Sequence, residues 1–466
     1  MQAPRSGWSI AVLATVLAGC GTAPSQEQVE QDVDQAVQQQ APAAPTEWGA
    51  AAGAGTVQAG WIESFNDPAL TALVIEAQTN NRDLAAAAAN VDRAWALARQ
   101  AGAALTPNVS LSASGERSGA ADSSRPDATS LSLGVQVSWE ADVWGRLRSG
   151  QRGAVSSAQA AEADFRAAQQ SLAAATAKAY FSAIEANIQA GIARETLEIL
   201  QETQRIANVK HENGMASAQD VSLARSDLAT ARERLTTVEG SQRDAVRALE
   251  ALLGRYPGAE LEVRESLPSV PPAAPAGLPS ELLERRPDIV AAERRVAAAF
   301  NATNQARAAQ LPSIGLTSNV GGASSSLSDL LDPANIAWSA GASLLAPIFD
   351  GGARREAVEI ASADQEQALA AYGQAAITAF SELETNLDQG VVLQQRIVDL
   401  KEAAAEAEKA FRIARLRYDE GEEELLSVLT IQQRVIGAKS SLSGVERLLL
   451  EQRVNLNLAI GGGWAN

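Results

Sequence analysis

Apolar residues in the last third of the chain recur in alternating steps of three and four. Ile397, Leu400, Ala404, Ala407, Phe411 and Ala414 carry the rhythm, and beyond Gly421 it continues through Val428, Ile431, Val435, Ala438, Leu442, Val445, Leu449, Gln452, Leu456 and Ala459. This seven-residue repeat predicts two long packed helices, 352–419 and 422–460, wound left-handed around one another. At 1.5 Å per residue the first would be on the order of 100 Å long, well beyond an ordinary globular core. The pattern also occurs earlier: 146–210 reads as a long helix, Asn213-Gly214 interrupts it, and 217–253 resumes with Val221, Ala224, Leu228, Ala231, Leu235 and Val238. Gly145 to Gly214 and Gly352 to Gly421 are the same 69-residue separation, so two halves offset by about 207 positions carry one architecture twice. The helices alone fit a cytoskeletal-type coiled coil or stalk equally well.

A different period appears twice. Val109, Leu111 and Ala113 alternate with serines, and after a polar loop at 116–129 Leu131, Leu133, Val135, Val137 and Trp139 alternate with small polar residues. The matching place in the second half holds Ile314 and Leu316, a Gly321-Gly322 loop, then Ile336, Trp338, Ala340, Ala342 and Leu344. Pro107 and Pro312 precede the two units. Period two with one apolar face is a strand signal. An isolated pair would be marginal, so these strands need neighbours. Alternation over about 9–11 positions matches a transmembrane strand with lipid outside and water inside, and strands from several subunits could close one sheet and remove its edges. A small β-sandwich capping a coiled coil is the competing reading.

The remaining segments divide the chain. Residues 1–19 read as a targeting segment: Arg5 supplies the positive start, and 10–17 is an apolar run too short for a permanent bilayer span. Residues 20–60 are a Gln-, Ala- and Pro-rich tether, part-helical at 26–40. The first structural repeat is 61–253, with a helix begun by Asp67-Pro68 and running to about Ala104, a strand pair at 108–139 and the long helices. A proline-broken connector spans 254–277. The second repeat is 278–460, with a helix from 278 to 310, a strand pair at 313–348 and the second long helices. The tail is 461–466, whose glycines end the last helix.

Composition narrows the function. With 38 basic against 56 acidic residues the formal charge is -18, and removing Arg5 with the leader makes it -19. A phosphate-tracking surface needs a basic stripe, which is missing, so nucleic acid is excluded as a partner. An acidic cavity would instead favour cations and neutral compounds. Abundant alanine and few aromatics suit closely packed long helices. The single cysteine excludes an intramolecular disulfide and a thiolate metal cluster.

Catalytic chemistry is not evident. The one histidine, His211, has no companion ligands and reads as a surface turn residue. There is no phosphate loop or dinucleotide fingerprint, so no cofactor and no metal site is expected. The densest acid run is Glu422, Glu423 and Glu424, which reads as a solvated helix start favoured by the helix dipole or, repeated around a ring, as the rim of an opening.

Several stretches, in order and across about residues 60–464, resemble the outer-membrane factor family of bacterial tripartite efflux pumps, and within it the NodT-like lipoprotein branch rather than the unlipidated TolC-like one. They are Phe65-Asn66-Asp67-Pro68, Trp139-Glu140-Ala141-Asp142-Val143-Trp144-Gly145-Arg146, Leu252-Leu253-Gly254, Pro347-Ile348-Phe349-Asp350-Gly351-Gly352 and Gly461-Gly462-Gly463-Trp464. The most specific is Glu284-Arg285-Arg286-Pro287-Asp288-Ile289 within 278–293. Leu17-Ala18-Gly19-Cys20 resembles the bacterial lipoprotein cleavage signal, with Cys20 as the lipidated first residue of the mature chain, and Gly21 is not the acidic residue that commonly retains such proteins at the inner membrane.

The resemblance implies a membrane α+β fold. A homotrimer would form a twelve-stranded β-barrel, four strands per chain, in the outer membrane, continued by a long periplasmic helical α-barrel. The Gly214 and Gly421 turns would lie at the periplasmic tip and the loops at 116–129 and 321–335 outside the cell. Partners would be a periplasmic adaptor and an inner-membrane pump, most often of the proton-driven RND class. The chain would be a passive exit duct for small toxic compounds and not an enzyme. A duct for metal ions or secreted polypeptides, or a periplasmic structural lipoprotein, are the alternatives; only Met1 and Met215 are present, against a methionine-lined copper or silver path. By position Arg417 and Tyr418 match the family's gate pair and Leu426 a constricting apolar position. Where the family often has Asp-Ala-Gln-Arg this chain has Thr430-Ile431-Gln432-Gln433, so the acidic latch is absent and either Glu422, Glu423 and Glu424 replace it or the gate is looser. Asp220 and Arg225 are the corresponding residues of the first half, facing the inner helix pair or the adaptor.

Overall fold

The computed structural model describes residues 24–42, 48–49, 60–119, 128–276 and 282–462. Cys20 and the leader lie outside the described residues, as do 21–23, 43–47 and 50–59 of the tether, the middle of the first strand connection, the 278–281 start of the second repeat and the end of the tail.

The helices are α1 (Gln26–Gln40), α2 (Pro68–Asn80), α3 (Arg82–Ala103), α4 (Arg146–Glu212), α5 (Ala218–Leu252), α6 (Leu282–Arg285), α7 (Pro287–Ala308), α8 (Ala353–Glu420) and α9 (Leu425–Ala459). The strands are β1 (Asn108–Ser118), β2 (Ala128–Ala141), β3 (Ser313–Ser324) and β4 (Ile336–Leu345). The duplication persists in the backbone: Gly145 and Gly352, Gly214 and Gly421, Gly254 and Gly461 all have positive φ, each pair 207 residues apart. The paired long helices have 67 and 68 residues, and the paired shorter ones 35 each. No helix among the described residues is long and apolar enough to cross a membrane.

The chain divides into two compact units, each drawn from both halves of the sequence. The first contains residues 1–42, 90–162 and 291–374 and carries the sheet. Its strands run antiparallel in the order β1-β2-β3-β4. The register puts like with like: Leu111 faces Val135, Val135 faces Val320, and Val320 faces Trp338 on one side, while Ser112 and Gly134, Gln136 and Asn319 pair on the other. The edge strands β1 and β4 are exposed throughout, with Leu111 at 72% and Trp338 at 80% of full exposure. A row of large apolar side chains left uncovered on one face marks an interaction or lipid surface.

The strands correct two expectations. Glu116, Arg117 and Thr129, read as loop, pair within the sheet, Arg117 opposite Thr129. Gly321 and Gly322, also read as loop, are paired residues of β3, opposite Ala337 and Ile336. The glycines are there because neighbouring backbone is close: a Cβ on Gly321 would stand 2.5 Å from the Leu133 carbonyl oxygen.

The first unit also holds α1, a complete helix over the 26–40 stretch expected to be part-helical within the tether. Ser25 accepts from the Gln28 N–H while the Gln28 side chain accepts from the Ser25 N–H, a reciprocal cap, and Val29, Val33 and Val37 are buried along one stripe.

The second unit contains residues 43–89, 163–290 and 375–466. Its main core gathers Phe65, Leu70, Val74, Tyr180, Phe181, Ile184, Leu249, Leu253 and Leu450. Asp67 is buried there, accepting from Ala69 and Leu70 N–H as a helix cap and from Tyr180 Oη at 3.2 Å and Arg264 Nη1 at 2.9 Å. The single helix expected from Pro68 to about Ala104 is broken at Asn81, whose backbone is extended and whose side chain accepts from Asp83 and Leu84 N–H. The helix expected over 278–310 likewise starts anew at Pro287.

The connector is held by a buried carboxylate. Glu250 accepts backbone N–H bonds from Ala259, Glu260 and Leu261 at 2.7, 2.8 and 2.9 Å. Burial opposes its charge, but these three donors and nearby Arg255 hold the carboxyl below its ordinary value. A depressed folded-state value stabilises above the unfolded pKa of about 4.5 and loses that contribution as pH falls through the folded value. Hydrogen exchange at the Ala259, Glu260 and Leu261 amides is therefore expected to accelerate as the pH is lowered from 5 to 3 beyond the intrinsic pH trend, and Glu250→Gln to remove that excess. Equal protection in both proteins at every pH would contradict the role.

Candidate functional site

Two helix-to-helix turns carry the residues singled out as a gate, and both lie in the second unit. At the first, α4 ends in Gly214 (φ 71°), with Gly214 N–H donating to His211 O and Met215 N–H to Lys210 O. At the second, α8 ends in Gly421 (φ 85°), with Gly421 N–H donating to Tyr418 O and Glu422 N–H to Arg417 O. Both are left-handed glycine stops, which a residue with a Cβ enters only with strain.

The helix starts that follow differ. Ser217 and Asp220 form a reciprocal cap on α5, with Ser217 Oγ also donating to Asp220 at 2.8 Å. The equivalent position before α9 is Glu424, which makes no side-chain cap. The acid run therefore precedes α9 instead of filling its first turn. Arg417 Nη1 is 3.5 Å from the half-buried Glu423 and Arg417 Nε 3.8 Å from the exposed Glu422. The arginine thus meets its acids within its own turn, and such pairs are worth about 0.2–1 kcal/mol each.

Tyr418 is buried at 7% exposure, in a cluster with Leu200, Leu228, Ala414, Leu425 and Val428. Lys210, which stands 207 positions before Arg417, places its ammonium 4.0 Å over the Tyr418 ring and donates to the Tyr418 carbonyl. The Tyr418 hydroxyl has no hydrogen-bond partner, and burial, with Asp220 and Asp419 adding negative charge, pushes its pKa up. Leu426 is 55% exposed, Leu425 beside it is buried, and Arg225 is exposed on α5. Thr430, where an acid was noted as missing, turns its hydroxyl back to the Leu426 carbonyl at 2.7 Å. The sequence reading missed Lys210, although its duplicated position pointed to it. His211, expected in a surface turn, lies exposed in the last turn of α4 with its ring bonded to the Ala216 carbonyl, and no group of three His, Cys, Asp or Glu residues suited to a metal ion occurs among the described residues.

The other quoted motifs build corners. In the first unit, Glu140 holds Arg146 at 2.8 and 3.2 Å, Asp142 caps α4 through Leu147 and Arg148 N–H at 3.0 Å each, and Trp144 Nε1 donates to the Pro312 carbonyl at 2.6 Å. Asp350 repeats the cap before α8 through Gly352 and Arg354 N–H. In the second unit, Arg286 is gripped bidentately by Asp288 at 2.8 and 3.1 Å and by Glu382 at 2.8 Å, and donates to the Ala459 carbonyl at 3.3 Å.

Long paired helices, a four-stranded sheet with one uncovered apolar face, and turns without catalytic groupings define a channel-forming type of protein. The chain belongs to the outer membrane efflux protein family, whose model matches twice, over residues 73–255 and 278–462. It is 34% identical over 438 residues to the pyoverdine export outer membrane protein OpmQ of Pseudomonas aeruginosa, covering 91% of this chain and 92% of that one. The toluene efflux pump outer membrane protein TtgC of Pseudomonas putida is 32% identical over 468 residues, 99% of this chain and 96% of that one. A solved structure of the outer-membrane channel OprN matches at TM-score 0.83 and 30% identity, over 91% of this chain and 99% of that one. The protein is an outer-membrane channel of a tripartite efflux system for small molecules, with a large periplasmic helical part, and not an enzyme. It works with a periplasmic adaptor and an inner-membrane pump.

Proposed function

We propose that three copies close their four-stranded sheets into one twelve-stranded barrel and that the long helices continue it as a periplasmic duct, gated at the Gly214 and Gly421 turns. The observation that carries this reading is the sheet: two exposed edges, β1 and β4, and one apolar face running unbroken from Leu111 to Trp338. Open edges inside a membrane are costly, and closure by further copies satisfies them. Cys20 is the lipidated residue, and the pump is of the RND class. Residues 61–253 and 278–460 act as two repeats joined by the 254–277 connector.

At the gate, Arg417 offsets the charge of Glu422 and Glu423, while Tyr418, packed under Lys210, sets the end of α8 against α9. Asp220 and Arg225 face the inner helix pair or the adaptor from the first-half turn. Because Arg417 is itself exposed and both pairs are long, its loss should shift the closed-to-open balance only modestly, by about two- to five-fold. Arg417→Ala is expected to raise the open fraction of reconstituted single channels by that amount. Unchanged gating together with unchanged antibiotic leakage would remove Arg417 from the gate.

A further inference from the structure

In the second unit, three of the four long helices carry glycines at one common level that no neighbour requires. We propose that this level is a flexing band, about which the ends of α4, α5 and α9 nearest the Gly214 and Gly421 turns bend against a continuous α8. The inference concerns packing within one chain and stands whether or not those turns gate a duct.

Bonds between the helices fix the level. Asn187 on α4 accepts from Gln242 on α5 at 2.8 Å, and Arg194 pairs with Glu239 at 3.1 Å, with Gly191 and Gly240 lying between. Gln189 on α4 donates to the Ser440 carbonyl and Ser443 Oγ of α9 at 3.1 and 2.9 Å. Lys439 reaches Glu195 of α4 and Glu408 of α8 at 3.4 and 2.9 Å, and Gly437 and Gly444 flank these α9 contacts. A Cβ on any of the four glycines would meet nothing within 4 Å beyond its own turn of helix, whereas one on Gly390, further from the turns, would stand 3.0 Å from Gln452 Nε2. With no packing reason for them, what the four supply is weakness: each lowers the helical equilibrium about five-fold relative to alanine. The α9 glycines also enclose Ser440, Ser441 and Ser443, and Gly/Ser pairs are places where helices bend. At this level α8 has Ala403, Ala404 and Ala405 and no glycine.

Packing differs on the two sides of the band. Two cavities begin at it and extend toward the turns, one of about 370 Å³ among α4, α5 and α9 and one of about 290 Å³ among α4, α8 and α9. Gln432 lines the smaller and is 3% exposed, yet its Oε1 and Nε2 are closed to solvent and bonded to nothing, as is the Tyr418 hydroxyl. Buried polar atoms without partners count against the packed arrangement and in favour of one that lets them meet water. Away from the turns the other buried glutamine of α9 is satisfied. Gln452, 2% exposed, donates from Nε2 to the Asn386 carbonyl and accepts from Arg453 Nη1 at 3.0 Å. The helix ends beyond the band are therefore less filled and less satisfied than the body behind it, with a weak joint between the two.

The test is hydrogen exchange read by mass spectrometry on the purified full-length protein in detergent, comparing the α9 amides 429–436 with 446–456. Faster exchange over 429–436 is expected in the native sequence. The triple variant Gly191→Ala, Gly240→Ala, Gly437→Ala meets no steric obstacle, and should slow 429–436 by about ten-fold or more while leaving 446–456 unchanged. Gln432→Met keeps the side chain's length, removes both unpartnered atoms and should slow the same segment by about ten-fold. Equal exchange of the two segments in the native protein, equal slowing of both in the triple variant, or no slowing of 429–436 in either variant would each overturn the inference.

Discussion

Gly321→Val should sharply reduce assembly of the protein in the outer membrane. Gly321 lies in β3 between two paired strands, and a Cβ there meets Leu133 O at 2.5 Å and Gly134 Cα at 2.7 Å. Those atoms are backbone, so relief requires moving β2 itself. Overpacking against side chains costs about 1–3 kcal/mol, and a clash with a paired strand belongs at or above the top of that range. Since a domain has only about 5–15 kcal/mol in hand and a slipped register turns apolar residues to the polar face, folded protein in the membrane should fall roughly ten-fold or more. Gly341→Ala is the control: its Cβ meets only Thr317 Oγ1, at 3.5 Å, an ordinary contact. Near-normal assembly of the valine variant would mean that the β2–β3 pairing is not as close as described.

The second large effect is expected in the helical unit. Arg286 is 8% exposed and ties the start of α7 to α8 through Glu382 and to the end of α9 through the Ala459 carbonyl. Removing one partner of a fully buried ion pair costs about 3–5 kcal/mol, but Asp288 and Glu382 are about half exposed, so solvent shields part of the loss. Arg286→Ala should destabilise by about 2–3 kcal/mol in urea unfolding. Arg286→Lys should recover only part, because an ammonium cannot reproduce the bidentate grip on Asp288 together with the bond to Glu382. A midpoint unchanged by Arg286→Ala would show the cluster to be energetically idle.

These two sites show what was and was not legible in the amino-acid order. Periodicity marked the four long helices and both strand pairs, because amphipathic elements advertise their buried face locally. The 207-residue offset marked the paired glycine turns. The Glu284–Ile289 run could be matched to a family, but its reason, the Arg286 clasp, spans α7, α8 and α9 and is invisible to any local window. Gly321 and Gly322 read as loop for the ordinary reason that glycine punctuates chains, and only the facing backbone of β2 shows why they sit inside a strand. The Asn81 break was missed because the helical pattern runs through it and one capping side chain interrupts it. The α1 helix falls on the 26–40 stretch expected to be part-helical, where Ser25 and Gln28 form a capping box and Val29, Val33 and Val37 recur every four residues. At the tip, the glycine stop and its acids were visible, whereas the Lys210 ammonium over Tyr418 needed the fold to bring residues 208 apart together.

The most direct measurement is the mass of the membrane-extracted protein together with its conductance in a planar bilayer. Three chains per particle and discrete, stable single-channel currents are the predicted result. A non-conducting monomer or dimer that keeps Leu111 and Trp338 shielded from lipid would contradict the account.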